Sequence, residues 1–150
     1  MTTLTPQDIA EQSAAAMMKG DMATQSLGAT LDAVGPGTAE MSMTVQDWHL
    51  NGHGICHGGY IFTFADSCFA FACNSFNQKF VSQHGEITYL APGMPGDVLT
   101  ASGRAISRQG RSGIYDITVR NQHGDDIAQF RGLCRSIKGV HVELAPDADA

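Results

Sequence analysis

The sequence has no long hydrophobic run and little proline. Five of its 150 residues are proline and 43% are hydrophobic, a composition typical of a folded chain rather than a disordered one. No apolar stretch approaches the roughly 20 residues that a helix needs to cross a bilayer. Residues 1–8 also lack the basic start and apolar core of a secretory signal, so we expect a cytoplasmic protein.

The sequence also lacks a basic excess and paired cysteines. Its net charge is −6, which argues against a general nucleic-acid-binding protein, because neutralising phosphates needs a basic surface. The four cysteines, at positions 56, 68, 73 and 134, show no paired spacing, so we expect reduced thiols rather than disulfides. All six arginines lie between Arg104 and Arg135, which predicts a local cationic patch in the last third of the chain.

The length fits one compact domain, which we place at residues 1–139. A threonine cap, a proline at the first helical position and a closing glycine predict a helix at residues 6–19. Residues 26–34 and 39–46 are predicted to be strands around a Gly-Pro-Gly turn. Residues 140–150 are predicted to form a flexible tail.

A long apolar segment at residues 60–75 follows a stretch that is too glycine-rich for any regular element. Its length and its apolar character on almost every side favour a buried helix over a strand, and such a helix must be wrapped by other elements. Four further strands, joined by turns into an antiparallel meander, are predicted at residues 82–90, 97–108, 112–121 and 127–137. The predicted fold class is therefore α+β, with a long buried central helix wrapped by a curved antiparallel sheet.

One residue breaks the pattern of the buried helix. Asp66 has Phe62, Phe69 and Ala70 as its neighbours one turn away, so ionisation of its carboxyl group should be costly. Such placements are uncommon without a function or a partner, which makes Asp66 a candidate catalytic residue. The alternative is a structural aspartate hydrogen-bonded at a subunit interface.

His57, Gly58 and Gly59 stand at the start of the same helix. The N-terminus of a helix exposes unpaired backbone N–H groups and favours negative charge, and glycine lets a ligand approach the backbone closely. This arrangement suits stabilisation of an oxyanion. The alternative is a plain glycine-rich cap.

The spacing of these two features predicts a dimer. Asp66 lies eight residues beyond Gly58, and at about 1.5 Å per residue they are roughly 12 Å apart along one helix. One carbonyl group cannot reach both within about 3 Å. Two antiparallel helices across a two-fold axis could combine Gly58 of one chain with Asp66 of the other, so an enzyme built this way should be an obligate homodimer.

Several blocks of the sequence resemble the hotdog-fold thioesterases of the phenylacetic acid degradation (PaaI) type. The resemblance spans about residues 24–139. Its most specific part is the pattern of Asn51, the His57-Gly58-Gly59 triplet and Asp66. The supporting blocks are Ala72-Cys73-Asn74-Ser75, residues 90–97, residues 113–117 and Phe130-Arg131-Gly132.

The resemblance implies an acyl-CoA thioesterase that is a homodimer, often paired into a homotetramer. Asp66 would be the nucleophile or the base that activates water, and the Gly58 N–H would bind the thioester oxygen. Asn51 would help orient water or substrate, and His57 would support the loop or the thioester carbonyl. The implied substrates are phenylacetyl-CoA and its ring-hydroxylated relatives. No separate cofactor is implied, since coenzyme A is part of the substrate.

One position departs from this family. Many relatives carry a basic residue before the proline of the Pro-Gly turn, where this chain has Ala91. Arg108 and Arg111, which flank a predicted turn at Gly110, are then the candidates for the nucleotide end of coenzyme A. They could equally belong to a solvated turn.

Other interpretations of the same residues are open. His53, Cys56 and His57 could suggest a metal site, but a fourth ligand is lacking and we predict no metal. Cys56 beside His57 could suggest a cysteine nucleophile, although adjacent side chains seldom point at each other. A hotdog hydratase or dehydratase, or a non-catalytic acyl-CoA-binding sensor, would also fit such a chain.

Overall fold

The computed structural model describes residues 3–144 and contains three α-helices and six strands in that range. The helices are α1 (Pro6–Gly20), α2 (Met22–Leu27) and α3 (Gly58–Cys73), with a short 3-10 helix at Asp47–His49. The strands are β1 (Thr30–Gly35), β2 (Thr38–Thr44), β3 (Gln78–Tyr89), β4 (Val98–Gln109), β5 (Ser112–Arg120) and β6 (Asp126–Val140). Among the described residues, no helix is both long and apolar enough to span a bilayer.

All six strands form one antiparallel sheet in the order β1-β2-β4-β5-β6-β3. The predicted meander holds for β4, β5 and β6, whose connecting turns are short. It is wrong for β3, which pairs with β6 at the sheet edge instead of with β4. The connection at residues 90–97 is long enough to carry the chain across the sheet, so sequence order does not dictate pairing there.

Helix α3 packs on one face of this sheet and contacts all six strands. The predicted α+β class, with a long central helix against an antiparallel sheet, is confirmed. Three of the largest fully buried side chains, Phe64, Phe69 and Phe71, come from α3, and Tyr115 and Phe130 meet them from the sheet. The core therefore lies between the helix and the sheet, and it fixes the axis along which the candidate site residues are placed.

The start of α3 differs from the prediction. The helix includes Gly58 and Gly59, although the glycine-rich sequence predicts an irregular segment there. The His57 ring explains this, because its Nδ1 atom accepts the Gly59 N–H at 2.8 Å and caps the helix. A side-chain cap of this kind offsets the conformational entropy that glycine loses in a helix.

The N-terminal region confirms one predicted helix and corrects one predicted strand. Helix α1 begins with a capping box between Thr5 and Asp8. The strand predicted from residue 26 begins only at Thr30, because residues 22–27 form α2. Asp21 caps α2, and Gly28 ends it at a left-handed φ of 78°.

The ordered chain extends beyond the predicted domain end at residue 139. Strand β6 ends at Val140, and the Asn77 carboxamide then holds the next two residues. Its Oδ1 atom accepts the N–H groups of His141 and Val142, at 3.1 and 3.0 Å. The flexible tail stays a prediction, and its last part, residues 145–150, lies outside the described residues.

Candidate active site

The start of α3 presents one free backbone donor. The N–H of Gly59 is used by the His57 ring, and those of Tyr60 and Ile61 donate to the His57 carbonyl at 2.9 and 3.3 Å. Within residues 3–144 the Gly58 N–H has no hydrogen-bond partner. In the peptide between His57 and Gly58, the His57 carbonyl points into the helix, where it accepts the N–H groups of Tyr60 and Ile61. The Gly58 N–H of the same trans peptide points the opposite way, out of the helix end. It can therefore donate to an anion or an oxyanion.

Tyr89, at the end of β3, covers the other side of Gly58. Its hydroxyl donates to the Gly58 carbonyl at 2.7 Å. A Cβ atom added at Gly58 would lie 2.9 Å from the Tyr89 ring, so any other residue at this position would have to displace this half-exposed ring. Sequence reasoning missed Tyr89, since a tyrosine at the end of a strand carries no functional signal by itself.

Asn51 opens the tight loop that precedes α3. The Asn51 N–H donates to the Ile55 carbonyl at 2.8 Å. The Asn51 Oδ1 atom accepts the N–H of His53 at 2.9 Å and that of Ile55 at 3.4 Å. The side-chain oxygen therefore shapes the loop, and the Nδ2 group, which has no partner among the described residues, remains as a donor.

Asp66 is half-buried in the middle of α3. Its carboxylate makes no hydrogen bond or ion pair with any described residue. Burial without such a partner raises the pKa of Asp66 above its ordinary value of 3.8. A carboxylate of this kind accepts a proton more readily than an exposed aspartate does, as a general base must.

The sheet leaves one stripe of α3 uncovered. Gly59 is exposed, and Thr63, Asp66 and Ala70 are half-buried, at the three- and four-residue spacing of one helix face. Asp66 therefore faces away from the sheet of its own chain. It remains roughly 12 Å along the axis from Gly58, as expected for two residues eight positions apart in one straight helix.

The two candidate arginines lie near the C-terminal end of α3, where the chain turns from β4 into β5. The Arg108 guanidinium lies 3.4 Å from the centre of the Phe76 ring, in a cation–π contact. Arg108 also lines a cavity of about 150 Å³ with Tyr115 and Cys134. Arg111 donates to the Ser136 carbonyl at 3.1 Å. Within one chain, neither arginine is brought together with Gly58.

The structure argues against the alternative of a cysteine nucleophile at Cys56. The thiol of Cys56 is buried, and burial raises its pKa to about 11, which disfavours the thiolate that a cysteine nucleophile needs. Its closest polar contact is the His57 carbonyl at 3.8 Å. The neighbouring His57 ring uses Nδ1 for the helix cap and is therefore not aimed at the thiol.

Comparison with known proteins yields a family match and close relatives. Residues 53–128, which include Gly58 and Asp66, match the model of the thioesterase superfamily. The chain is 40% identical over 129 residues to the acyl-coenzyme A thioesterase PaaI of Escherichia coli strain K12, covering 86% of this chain and 92% of that protein.

Solved structures are similar in fold. The Escherichia coli PaaI protein from the phenylacetic acid degradation operon superposes with a TM-score of 0.89 at 38% identity, covering 91% of this chain and 99% of that one. A Streptococcus mutans UA159 protein bound to acetyl-CoA gives a TM-score of 0.68 at 30% identity, covering 70% and 85% of the two chains. These likenesses extend over the sheet and the central helix that carry the candidate residues.

Proposed function

Because the chain belongs to the thioesterase superfamily and is a thioester hydrolase, we propose that it hydrolyses aryl-acyl-CoA to the free acid and coenzyme A. The observation that carries this proposal is that α3 bears two polar groups without a hydrogen-bond partner among the described residues. One is the outward N–H of Gly58, and the other is the carboxylate of Asp66. A donor for an oxyanion and a base for water are the two groups that thioester hydrolysis requires.

In the proposed reaction the Gly58 N–H binds the thioester oxygen. Asp66 takes a proton from the attacking water, or attacks the carbonyl carbon itself. Negative charge then develops on the oxygen, where the helix N-terminus stabilises it. The C–S bond breaks and coenzyme A leaves as the thiolate. If Asp66 is the base, it returns its proton to the thiolate and the free acid is released. If Asp66 is the nucleophile, solvent protonates the thiolate, and water then hydrolyses the anhydride between Asp66 and the acyl group, which releases the acid and restores the carboxylate. Asn51, through its Nδ2 group, orients water or substrate, and His57 holds the loop through its cap on Gly59.

The catalytic unit in this proposal is a homodimer. Gly58 and Asp66 of one chain are too far apart for one carbonyl, so each site takes Gly58 from one protomer and Asp66 from its partner. Two features support this assembly. Among residues 3–144, nothing covers the stripe of α3 around Asp66, and no strand pairs with the outer edge of the 12-residue strand β3. A second copy pairing through β3 across a two-fold axis would cover both. Assembly of two such dimers into a homotetramer stays a prediction.

The acyl group in this proposal is phenylacetyl or a ring-hydroxylated relative. The name of the Escherichia coli relative and the operon of its solved structure support this choice. An aromatic environment near the carboxylate supports it as well. Phe62 lies one turn before Asp66 on α3, and its ring meets the Phe130 ring edge to face, with the centroids 5.3 Å apart.

The coenzyme A end of the substrate is assigned to Arg108 and Arg111. Both guanidinium groups are carried by exposed residues at one turn, which suits contact with phosphate oxygens. Arg111 donates to the Ser136 carbonyl and Arg108 stacks on the Phe76 ring, so each would have to share or exchange its present contact to meet a nucleotide. The Streptococcus mutans neighbour, which was solved with acetyl-CoA, supports acyl-CoA as the substrate class.

The test is thiol release from a panel of acyl-CoAs. Phenylacetyl-CoA and its hydroxylated forms are compared with short and long aliphatic acyl-CoAs. We expect the aryl substrates to have the highest kcat/KM. An aliphatic preference would contradict the proposed acyl group, and a chain that binds every thioester without cleaving any would contradict the proposed reaction.

Asp66→Asn is assayed in the same panel. We expect kcat to fall by about 100-fold or more, because the amide can neither accept the proton nor attack the carbonyl. The matched control is Asp32→Asn, which removes an exposed carboxylate on β1 and should leave kcat unchanged. Full activity of Asp66→Asn, with folding intact, would make Asp66 a structural residue.

A further inference from the structure

His49 is a fully buried polar side chain that the proposed reaction does not use. It ends the short 3-10 helix, and none of its surface reaches solvent. Its Nδ1 atom accepts the backbone N–H of Gln46 at 2.8 Å, and its Nε2 atom lies 3.0 Å from the carbonyl oxygen of Leu27. Since a backbone N–H needs a lone pair and a carbonyl needs a donor, the ring is neutral with its proton on Nε2.

The surroundings of the ring agree with this state. Burial holds the pKa of His49 below its ordinary value of 6.5, although the Leu27 carbonyl works in the opposite direction. The ring also packs edge to face against Tyr60, with the centroids 5.1 Å apart. Tyr60 belongs to the first turn of α3. His49 therefore joins the end of α2, the turn at Gln46 and the start of α3.

The backbone of His49 closes the loop that carries the candidate site. Leu50 and Cys56, on opposite sides of this loop, form an antiparallel bridge. The residues just outside that bridge are also joined, because the His57 N–H donates to the His49 carbonyl at 2.8 Å. This bond fixes the residue directly before Gly58. The orientation of the His57–Gly58 peptide, and hence of the free Gly58 N–H, thus depends on where His49 is held.

We infer that His49 is a positioning residue that aims the Gly58 N–H at the thioester oxygen. The inference rests on the proposed function, because it assigns His49 to the donor that binds the oxyanion. The ring is hydrogen-bonded to Gln46 and Leu27 and packs against the first turn of α3. Replacing it therefore lets the His57–Gly58 peptide shift. A displacement of about 1 Å in an oriented group can cost about 100-fold in rate.

Three variants separate the contacts of the ring. His49→Gln can still donate to the Leu27 carbonyl, and His49→Asn can still accept the Gln46 N–H. His49→Leu fills a similar volume and makes neither bond. We expect kcat on phenylacetyl-CoA to fall about 10-fold for the first two and about 100-fold for His49→Leu, with KM changed less than about threefold.

The control addresses loss of stability. Ile117→Val removes one buried methyl group from β5 and should lower the midpoint of urea unfolding without lowering kcat. If a purely structural role were correct, the His49 variants would lose activity only in proportion to the unfolded fraction. A kcat of wild-type size in folded His49→Gln and His49→Asn would overturn the inference.

A double-mutant cycle tests the route through Gly58. Gly58→Pro removes the N–H, so in that background His49 has no donor left to position. We expect His49→Gln to change the single-turnover rate less than about twofold in Gly58→Pro, against about 10-fold in the wild type. Equal effects in both backgrounds would show that His49 acts elsewhere. If the wild type cleaves no thioester, the proposed function fails and not the positioning role alone.

Discussion

At Gly58, one residue meets two structural requirements. In the proposed reaction its N–H must stay free and point out of α3, and the close packing of the Tyr89 ring requires its Cα to carry no side chain. The first requirement concerns a backbone atom, which any residue but proline supplies. The second excludes every side chain, unless the ring moves. The two requirements can therefore be separated by substitution.

Gly58→Ala and Gly58→Pro form a matched pair. Both place a Cβ atom against Tyr89, but only proline removes the N–H. Proline suits the first position of a helix, and His57 before it is extended, at φ −61° and ψ 132°, as a residue before proline prefers. We expect Gly58→Pro to lower kcat by about 100- to 1,000-fold relative to Gly58→Ala. Equal kcat values in a steady-state assay of the two folded variants would remove the N–H from the mechanism.

The raised pKa of Asp66 predicts how activity and stability depend on pH. The ionised carboxylate is the active form, so kcat should rise with pH through the folded pKa, above the range of an exposed aspartate. In that window the folded chain holds a proton that the unfolded chain has lost, so Asp66 lowers the free energy of unfolding as pH rises.

Asp66→Asn tests the stability part of this prediction. The variant should unfold at higher urea concentration than the wild type at pH 7. The difference should shrink as pH falls towards 3.8 and vanish below it, where the carboxyl group is protonated in both states. A stability difference that does not change between pH 4 and pH 7 would contradict the raised pKa. The lower pH lies near the ordinary aspartate pKa of 3.8, and the upper pH lies about three units above it.

At the scale of elements, the contact between α3 and β6 sets the position of Asp66. A Cβ atom added at Gly132 in β6 would lie 2.7 Å from the Phe69 ring, which is buried, so the ring or the strand would have to shift. Phe69 follows Asp66 by three residues on α3. The absence of a side chain at Gly132 therefore lets the helix approach the sheet.

Gly132→Ala should destabilise the protein by roughly 1–3 kcal/mol, because overpacking forces a ring or a strand to shift. Urea unfolding measures this. Gly20→Ala is the control, since no atom lies within 4 Å of its added Cβ and the position is at the end of α1. We expect that control to be neutral or slightly stabilising. Similar losses in both variants would mean that the contact with Phe69 is not the cause.

At the scale of the whole molecule, the described chain offers half of each proposed site. The free edge of β3 and the uncovered stripe of α3 are both long features, and a protein of this size rarely leaves such an edge exposed. If two copies share their sites, defects in different halves of the site should complement each other. This property distinguishes a shared site from a site within one chain.

Co-expression of Gly58→Pro and Asp66→Asn chains tests that property. In a mixed dimer both defects fall in one site, and the other site takes its intact Gly58 and Asp66 from different chains. With equal amounts and random pairing, we expect about a quarter of wild-type activity, since half the dimers are mixed and each has one intact site. Each variant alone should be nearly inactive. No gain from co-expression, with dimers present, would contradict the shared site.

The sequence by itself predicted most of the local elements and supplied the candidate site residues. The apolar run after residue 59 predicted α3, because a segment of that length that is hydrophobic on almost every side fits a buried helix better than a strand. Asp66 and Gly58 stood out for local reasons, a charge in an apolar segment and glycines before a helix. The capping pattern at Thr5 likewise predicted α1, since a cap is an interaction between residues three positions apart.

Only the tertiary structure decided which strands pair, where Tyr89 and His49 lie, and which face of α3 stays uncovered. The placement of β3 beside β6 depends on a long connection that leaves the pairing free. Tyr89 reaches Gly58, and His49 reaches Leu27, across separations of 31 and 22 residues. Contacts at such range follow from packing of the whole chain and leave no periodic signal in the sequence.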